Sequence, residues 1–224
     1  MSWSRPEYER RGYHHGNLRE ALLAAALALI AEKGPAGFTI AEAARLAGVS
    51  SAAPYRHFRD AEALLAEIAL RGFERFTASL AKAWNDGRPD ALHAIENVGR
   101  AYLAFARDEP ASYAAMFETR ISFDAYPPLQ AASDRAFEIL RNAAERVTAT
   151  LPKAGRPPAL MVALHIWAMA HGIASLFGRG YAGRKLPMSP EDLLEAGVLL
   201  YLQSLGLAGG AGSPRTTNKS SGSA

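Results

Sequence analysis

Two histidines, His165 and His171, stand out in the apolar stretch HIWAMAHGIASLF because imidazoles are common metal ligands. On a helix, six residues at about 100° each place these two side chains about 240° apart, so they do not share a face. Trp167 and His171 are one turn apart and do share one. The spacing therefore argues against a metal site. It leaves two roles open for His171: a buried or interfacial histidine with a satisfied hydrogen bond, or a contact to a ligand.

Catalytic groups are not apparent elsewhere in the sequence. We find no paired acid and nucleophile at helical spacing, no glycine-rich loop that could cradle phosphate, and no cysteine. We therefore predict no catalytic residues, no cofactor and no metal, and an all-helical enzyme is the less favoured function. The lack of cysteine also gives no sign of an oxidising compartment.

The N-terminus, MSWSRPEYERRGYHH, is polar and charged where a signal peptide needs about 7 to 15 apolar residues. We expect no window to approach the roughly 18 uninterrupted apolar residues of a membrane span. The protein is therefore expected in the cytoplasm, without a membrane partner. Residues 1–60 hold eight Arg or Lys against six Asp or Glu. This excess hints at a nucleic-acid face, and an ordinary solvated surface explains it equally well.

The stretch GVSSAAPYRHFRD, residues 48–60, combines small residues and a proline with hydroxyl, phenol, imidazole and guanidinium groups. Just before it, Thr39 and Glu42 fit a capping box, so a helix should begin at residue 40. Gly48 can take the left-handed conformation that ends helices, and Ser50 is placed to cap the next one. Two short helices joined by such a turn form a helix-turn-helix, a pattern that helical hairpins in ordinary bundles imitate.

The wider chain has the helical period of 3.6 residues in almost every segment, and alternating strand-like runs are missing. Glycine and proline breaks divide it into about nine helices, so the predicted fold class is all-α. The predicted domains are a flexible basic arm at 1–12, a helix-turn-helix DNA-binding domain at 13–60, and a larger helical effector-binding and dimerisation domain at 61–206. A Gly/Ser-rich tail at 207–224 is expected to be disordered.

From Tyr13 to about Phe76 the sequence resembles the DNA-binding domain of the tetracycline-repressor (TetR) family of bacterial transcriptional regulators. The shared pattern comprises a glycine after the first helix, Phe-Thr-Ile at 38–40, Ala-Gly-Val-Ser at 47–50, Tyr-x-x-Phe at 55–58 and a helix starting near residue 60. The resemblance implies a three-helix headpiece, a larger helical domain that binds a small effector, and a homodimer built on the last two helices.

The resemblance also implies roles for individual residues. Contacts to phosphates would come from Thr39, Tyr55 and His57, and contacts to base edges or backbone in the major groove from Ser51, Ala52 and Arg56. The arm residues Arg10 and Arg11 could reach phosphate or the minor groove. For Tyr55 a place in the core is the alternative, and for Phe58 core packing is the expected role.

Two further features of this stretch bear on DNA recognition. With Ser50 as cap, Pro54 would be the fourth helical residue and would offer an apolar surface to a thymine methyl group. Ala61 stands where many family members carry a lysine that contacts phosphate. Base readout by hydrogen bonds is therefore expected to be sparse, and DNA shape correspondingly important.

Trp-x-x-x-His-Gly at 167–172 resembles the C-terminal domain of a TetR subgroup named for these residues, which also tends to carry the Ala-Ala-Pro-Tyr run seen at 52–55. An apolar effector pocket could be lined by a set of large side chains, each of which could also be plain core: Tyr102, Phe105, Tyr113, Met116, Phe117, Phe123, Phe137, Trp167 and His171. A four-helix dimer seam, with the monomer core as its alternative, could involve Ala168, Gly172, Ser175, Leu194, Val198, Tyr201, Leu202 and Leu205.

The predicted function is a ligand-responsive repressor. As a homodimer it would bind a palindromic operator in double-stranded DNA, and a small apolar effector would release it. The alternative is a small-molecule binding protein of the same fold with weak or lost DNA readout.

Overall fold

The computed structural model describes residues 18–180 and 187–207, and these residues form helices without any strand. The all-α fold class is confirmed, with eight α-helices in the described ranges where about nine were predicted. They are α1 (Leu18–Lys33), α2 (Ile40–Leu46), α3 (Ala61–Trp84), α4 (Ala91–Asp108), α5 (Pro110–Phe117), α6 (Pro127–Thr148), α7 (Ala159–Ser175) and α8 (Pro190–Ser204). Short 3₁₀ helices lie at Ala53–Arg56, Asn85–Gly87 and Phe123–Ala125, and a π-helical turn at Leu176–Gly180 follows α7.

Helix ends follow local chemistry. The Asp60 carboxylate caps α3 by accepting a 2.8 Å hydrogen bond from the Ala63 amide, and the Ser189 hydroxyl caps α8. Helices α5, α6 and α8 each begin with a proline, which needs no hydrogen-bond partner there. The predicted breaks therefore coincide with the observed ones. The predicted arm, with Arg10 and Arg11, and residues 208–224 of the predicted tail lie outside the described residues.

Helix α3 is the centre of the packing. It contacts α4, α5 and α6, and α5 also packs against α1. Phe73 and Phe76 of α3 are fully buried, and one continuous hydrophobic core runs from α1 to α8. The proposed domain boundary at residue 60 thus precedes a helix whose apolar faces serve both the headpiece (α1, α2 and the 3₁₀ helix Ala53–Arg56) and the helices beyond it.

A network of four charges joins α1 to α3. Arg71 binds both oxygens of Glu20, at 2.6 and 2.7 Å, and donates a third hydrogen bond to Glu67 at 2.9 Å. Arg19 pairs with the same Glu67 at 2.8 Å, and its guanidinium lies over the Phe58 ring. The bidentate geometry fixes the angle between α1 and α3 more firmly than a single ion pair would.

Helix α7 corrects one expectation from the sequence. The segment Ala159–Gly178 has a mean hydropathy of 1.7 and is long and apolar enough to cross a membrane by length and composition. No acidic residue, lysine or arginine interrupts this apolar window, and its histidines carry no fixed charge. Only 28% of that window is buried. The other residues of the window are partly buried or exposed in the single chain.

Candidate DNA interface and effector cavity

The turn of the helix-turn-helix is built by Gly48. Its φ of 72° lies in the left-handed region, and its amide donates to the Arg45 carbonyl at 3.1 Å. The next amide, that of Val49, reaches back to the Ala44 carbonyl at 3.0 Å. These two bonds form a Schellman motif, which closes α2 and turns the chain toward the second helical element.

The second element is not the α-helix that was predicted. An α-helix starting after Ser50 would need the amide of Pro54 to reach the Ser50 carbonyl, and proline has no N–H. The Ala53 amide takes that carbonyl instead, at 3.0 Å, and a 3₁₀ helix runs over Ala53–Arg56. Its N-cap is Ala52, without a side-chain cap. Ser50 therefore contributes its carbonyl to the turn, and the predicted side-chain cap is wrong.

Pro54 is a second correction. It is fully buried, as is Phe58 four residues later, so the two rings face the headpiece core together. The tight 3₁₀ turn directs Pro54 inward, where it cannot meet a thymine methyl group. The predicted core role of Phe58 is confirmed. By contrast, Tyr55 is 57% exposed, which excludes the core as its place.

The remaining predicted DNA contacts share one property, exposure to solvent. They are Thr39, Ser50, Ser51, Ala52, Tyr55, Arg56 and His57. The capping box is confirmed: the Thr39 hydroxyl accepts from the Glu42 amide at 3.2 Å, and the Thr39 amide donates to the Glu42 carboxylate at 2.9 Å. Lys33 binds that carboxylate at 2.9 Å and, with Thr39, holds the pKa of Glu42 below its usual range. Arg45, which was not among the predicted contacts, is also exposed at the end of α2 beside the turn.

The predicted dimer seam is only half supported. On α7, Ala168 and Ser175 are exposed, and a Cβ added to Gly172 would meet no atom within 4 Å. On α8, however, three predicted seam residues are buried inside the protomer: Leu194, Val198 and Leu202. Tyr201 is partly buried and hydrogen-bonds His165 at 2.8 Å, and Leu205 is also partly buried. These three α8 residues therefore pack within their own protomer, and α8 has apolar side chains on its exposed face as well.

Helices α7 and α8 pack against each other, and both also expose large apolar side chains. Leu199 is 40% and Leu200 67% exposed on α8, while Leu160 and Leu164 are 52% and 50% exposed on α7. Large apolar side chains at this exposure, on two adjacent helices, form a patch of the kind that marks an interface. We refer to these four leucines as the α7–α8 leucine patch.

Aromatic side chains fill the space between α3, α4, α5 and α7. The Trp167 ring packs edge-on to Tyr102 at a centroid distance of 5.4 Å and to Phe137 at 5.5 Å, and Phe76 lies at 6.2 Å. Edge-to-face packing at these distances adds stability beyond the buried area. Trp167 is thus part of the aromatic core as well as a cavity wall.

His171 forms a polar centre within this cluster. Its Nδ1 lies 2.8 Å from the Tyr113 hydroxyl and 3.0 Å from the Tyr102 hydroxyl. Burial lowers the pKa of His171, and the carboxylate of Glu118 opposes that shift. Burial also raises the pKa of both tyrosines, which favours neutral phenols. His171 thus has hydrogen-bond partners within the protomer, and whether it also contacts a ligand stays a prediction.

Two adjoining cavities, of about 440 and 330 Å³, lie between α4, α5, α7 and the start of α8. They share Ala106, Pro110, Ala174 and Gly178, so we treat them as one, the α4–α5–α7 cavity. Its larger lobe is lined by Leu103, Phe177 and Pro190, with Arg107 and Glu191 paired at 2.9 Å. Its smaller lobe is lined by Tyr113, Glu118 and Ser175. The volume and apolar walls suit a drug-sized molecule.

A third cavity, of about 320 Å³, lies between α3, α5, α6 and α7. Met116, Phe117, Phe123 and Trp167 line it, and Tyr113 lines the α4–α5–α7 cavity. The other four predicted pocket residues line none of these three cavities: Tyr102 and Phe105 are buried in the core, and Phe137 and His171 are partly buried beside it. The nine residues therefore do not form one pocket, because several of them are needed to fill the space between helices.

The part of the chain that the structure describes contains no candidate metal site. No group of three or more His, Asp or Glu side chains in residues 18–180 and 187–207 could hold a metal ion. His165 is instead engaged with Tyr201, and His171 with two tyrosines.

Comparison with known proteins gives two family matches. Residues 22–68 match the model described as bacterial regulatory proteins, tetR family, and residues 95–201 match that of a tetracyclin repressor-like C-terminal domain. The second match includes Trp167, His171 and Gly172. The subgroup named for these residues remains a prediction. A search of curated proteins found no match to the chain.

Solved structures give the same picture. A protein with unknown function from Rhodococcus sp. RHA1 is 30% identical, with a TM-score of 0.71, over 87% of this chain and 98% of its own. The TetR family transcriptional regulator PfmR from Thermus thermophilus is 24% identical, with a TM-score of 0.64, over 81% and 97% of the two chains. The fatty acid degradation regulator FadR from Bacillus halodurans shares the fold at 14% identity, with a TM-score of 0.64 over 86% and 96%.

Proposed function

Because the chain belongs to the TetR family of bacterial regulatory proteins, we propose that it is a transcriptional repressor that binds a palindromic operator as a homodimer and is released by a small apolar effector. The observation that carries the proposal is the row of exposed side chains from Tyr55 to His57, held beside the Gly48 turn by a buried proline. The family match favours a transcription factor over an enzyme.

The DNA-binding surface combines a phenol, a guanidinium and an imidazole on one 3₁₀ turn with two exposed serines before it. Tyr55, Arg56 and His57 supply hydrogen-bond donors for phosphates or base edges. The small side chains of Ser51 and Ala52 keep this end of the element narrow enough for its backbone to enter the major groove. With Pro54 buried and Ala61 in place of a lysine, few groups remain to read bases. DNA shape is then expected to contribute a large share of the specificity.

Dimerisation would cover the α7–α8 leucine patch. Two copies related by a two-fold axis would bring the same four leucines of each protomer together in a four-helix arrangement. This contact would also explain the long apolar window of α7 without a membrane. A dimer places two headpieces on half-sites about one helical turn of DNA apart, roughly 34 Å. A protein acting on chromosomal DNA in this way works in the cytoplasm.

Coupling between effector and DNA is proposed to run through α5. Pro110 and Tyr113 of α5 line the α4–α5–α7 cavity, and the same helix packs against α1 of the headpiece. At its start, Glu109 is held by Arg75 of α3 in two contacts of 2.9 and 2.6 Å. A ligand that favours a different position of α5 therefore biases both helices that carry the headpiece. It can shift the equilibrium only by its differential affinity for the two states.

The proposal is tested by fluorescence anisotropy with promoter DNA from the native locus. Binding should prefer the operator sequence over a scrambled duplex and weaken steeply with salt. Replacing Tyr55 and His57 together by Ala should abolish operator binding while leaving the dimer intact. Binding without sequence preference, or a double variant that binds as the wild type does, would favour the alternative of a small-molecule binding protein.

A matched pair of arginine variants sharpens this test. Arg56→Ala removes an exposed arginine from the 3₁₀ turn, and Arg141→Ala removes an exposed one from α6. The first should reduce the slope of log affinity against log salt by about 1, since one phosphate contact is lost, and the second should leave it unchanged. Equal slopes in the two variants would show that Arg56 does not face DNA.

A further inference from the structure

Three polar groups from three helices meet at one point beside the α4–α5–α7 cavity. Tyr102 comes from α4, Tyr113 from α5 and His171 from α7, and both phenol oxygens lie within 3.0 Å of the same imidazole nitrogen, Nδ1. The two phenol oxygens are 3.4 Å apart. Phe117 packs against Tyr113 and His171, so the surroundings are largely apolar.

The imidazole nitrogen Nδ1 cannot accept good hydrogen bonds from both phenols at the same time. A neutral imidazole nitrogen that accepts has one lone pair, in the plane of the ring, so it takes one good hydrogen bond. With Nδ1 as acceptor, one phenol proton is satisfied and the other is left with the 3.4 Å contact or with a neighbouring hydroxyl. With Nδ1 protonated, both phenol protons need acceptors elsewhere. Only one of the two phenols therefore donates a short hydrogen bond to Nδ1 at a time, and the other makes the longer 3.4 Å contact, which it could exchange for a better acceptor.

Tyr113 is the phenol in the position to do so. It lines the smaller lobe of the cavity, whereas Tyr102 is 3% exposed and lines none of the cavities described. Ser175 lines the same lobe, so two hydroxyl groups lie at one wall. A carbonyl oxygen has two lone pairs and can accept from both. Leu103, Pro110, Ala174 and Phe177 give the cavity its apolar walls, and its charged groups are Glu118 in the smaller lobe and the Arg107–Glu191 pair in the larger one.

We propose that Tyr113 is the specificity-determining donor of this cavity, and that its ligand is an apolar molecule bearing a carbonyl-type oxygen. The inference rests on the proposed function only in taking the cavity as the effector site. When Tyr113 turns to the ligand, Tyr102 keeps the His171 nitrogen satisfied. The imidazole nitrogen therefore keeps a donor, because its 2.8 Å hydrogen bond with Tyr113 is exchanged for the 3.0 Å one with Tyr102.

The test uses two probes of nearly the same shape, 2-acetylnaphthalene, which carries a carbonyl, and 2-isopropenylnaphthalene, in which a CH₂ group replaces the oxygen. Isothermal titration of the full chain should show the ketone binding about 3- to 10-fold more tightly, the range of one net hydrogen bond. In Tyr113→Phe this preference should vanish while the affinity for the hydrocarbon stays the same. In the matched variant Tyr102→Phe the preference should persist.

Several results would overturn the inference: no preference in the wild type, a preference that survives in Tyr113→Phe, or no binding of either probe. Thermal melting shows whether Tyr113→Phe is folded, and Ser175→Ala at the exposed end of the same wall gives a second variant, expected to reduce the preference in part. Operator binding is measured on the same preparations. Intact operator binding with no ketone preference rejects this inference alone, whereas loss of sequence preference for DNA rejects the proposed function.

Discussion

Replacing Leu200 by Asp is expected to dissociate the dimer. Leu200 is 67% exposed in the single chain and lies in the α7–α8 leucine patch, so a two-fold contact through this patch would bury it in both protomers. The carboxylate would have to lose its water at the centre of an apolar seam, where no partner charge is expected.

The size of the effect follows from the exposed fraction. Full burial of a leucine is worth about 1.5 to 3 kcal/mol, so covering two-thirds of one contributes about 1 to 2 kcal/mol per protomer and about 2 to 4 kcal/mol per dimer. Losing this contribution alone raises the dimer dissociation constant roughly 30- to 800-fold. The cost of burying the new carboxylate adds to it.

Sedimentation velocity over a wide range of protein concentration measures the change directly. The wild type should remain dimeric, and Leu200→Asp should sediment as a monomer with an unchanged circular dichroism spectrum. Leu46→Asp is the matched control, because Leu46 is 55% exposed but lies on α2 of the headpiece. If Leu200→Asp dimerises as tightly as the wild type, the leucine patch is not the interface and the reasoning fails.

Three further changes have outcomes that the structure fixes. Asp60→Ala removes the cap of α3 and should lower the free energy of unfolding by about 1 kcal/mol. The Ala63 amide and Arg59 hold the pKa of Asp60 below its usual range, so this stabilisation is present above about pH 4 and is lost as pH falls through the folded-state pKa. Urea titrations of wild type and variant at several pH values would show the loss. Gly48→Ala places a Cβ at φ 72° and should cost about 1 to 2 kcal/mol, measured in the same way, whereas an unchanged midpoint would mean that the turn relaxes. Burial lowers the pKa of His171, so on acidification the unfolded chain takes up a proton before the folded chain does, and the wild type should lose stability between about pH 7 and 5.5. In His171→Gln the free energy of unfolding should fall less over this range. Equal slopes of unfolding free energy against pH in variant and wild type would contradict this.

The sequence predicts the helices and their ends well, because caps and breakers act locally. The capping box at Thr39, the left-handed Gly48 and the start of α3 at Asp60 all depend on residues within one turn of each other. The second helical element was predicted to be an α-helix despite Pro54, and it is a 3₁₀ helix. One missing amide converts an α-helical start into a 3₁₀ turn, and the turn decides which side of the proline faces the core.

The sequence does not predict equally well which face of a helix is covered by the rest of the protein. Helix α8 carries leucines on all sides, so periodicity identifies an apolar helix and leaves open whether Leu194 or Leu200 faces its own protomer. The same holds for the pocket, since an aromatic residue such as Tyr102 fills a core or lines a cavity according to how far apart the neighbouring helices stand. Those distances depend on contacts far apart in the chain.

The length of α3 gives small movements a large effect. Its 24 residues form a rod of about 36 Å with the headpiece at one end. A tilt of roughly 5° about the far end displaces the headpiece end by about 3 Å, and two-fold symmetry can double the change in separation between the two headpieces. Successive half-sites offer no tolerance of this size, because a base edge misplaced by about 3 Å is out of hydrogen-bonding range. If the chain acts as the proposed dimeric repressor, an effector would need to tilt α3 by only a few degrees, within the reach of a single reoriented side chain, for the dimer to lose its register on DNA.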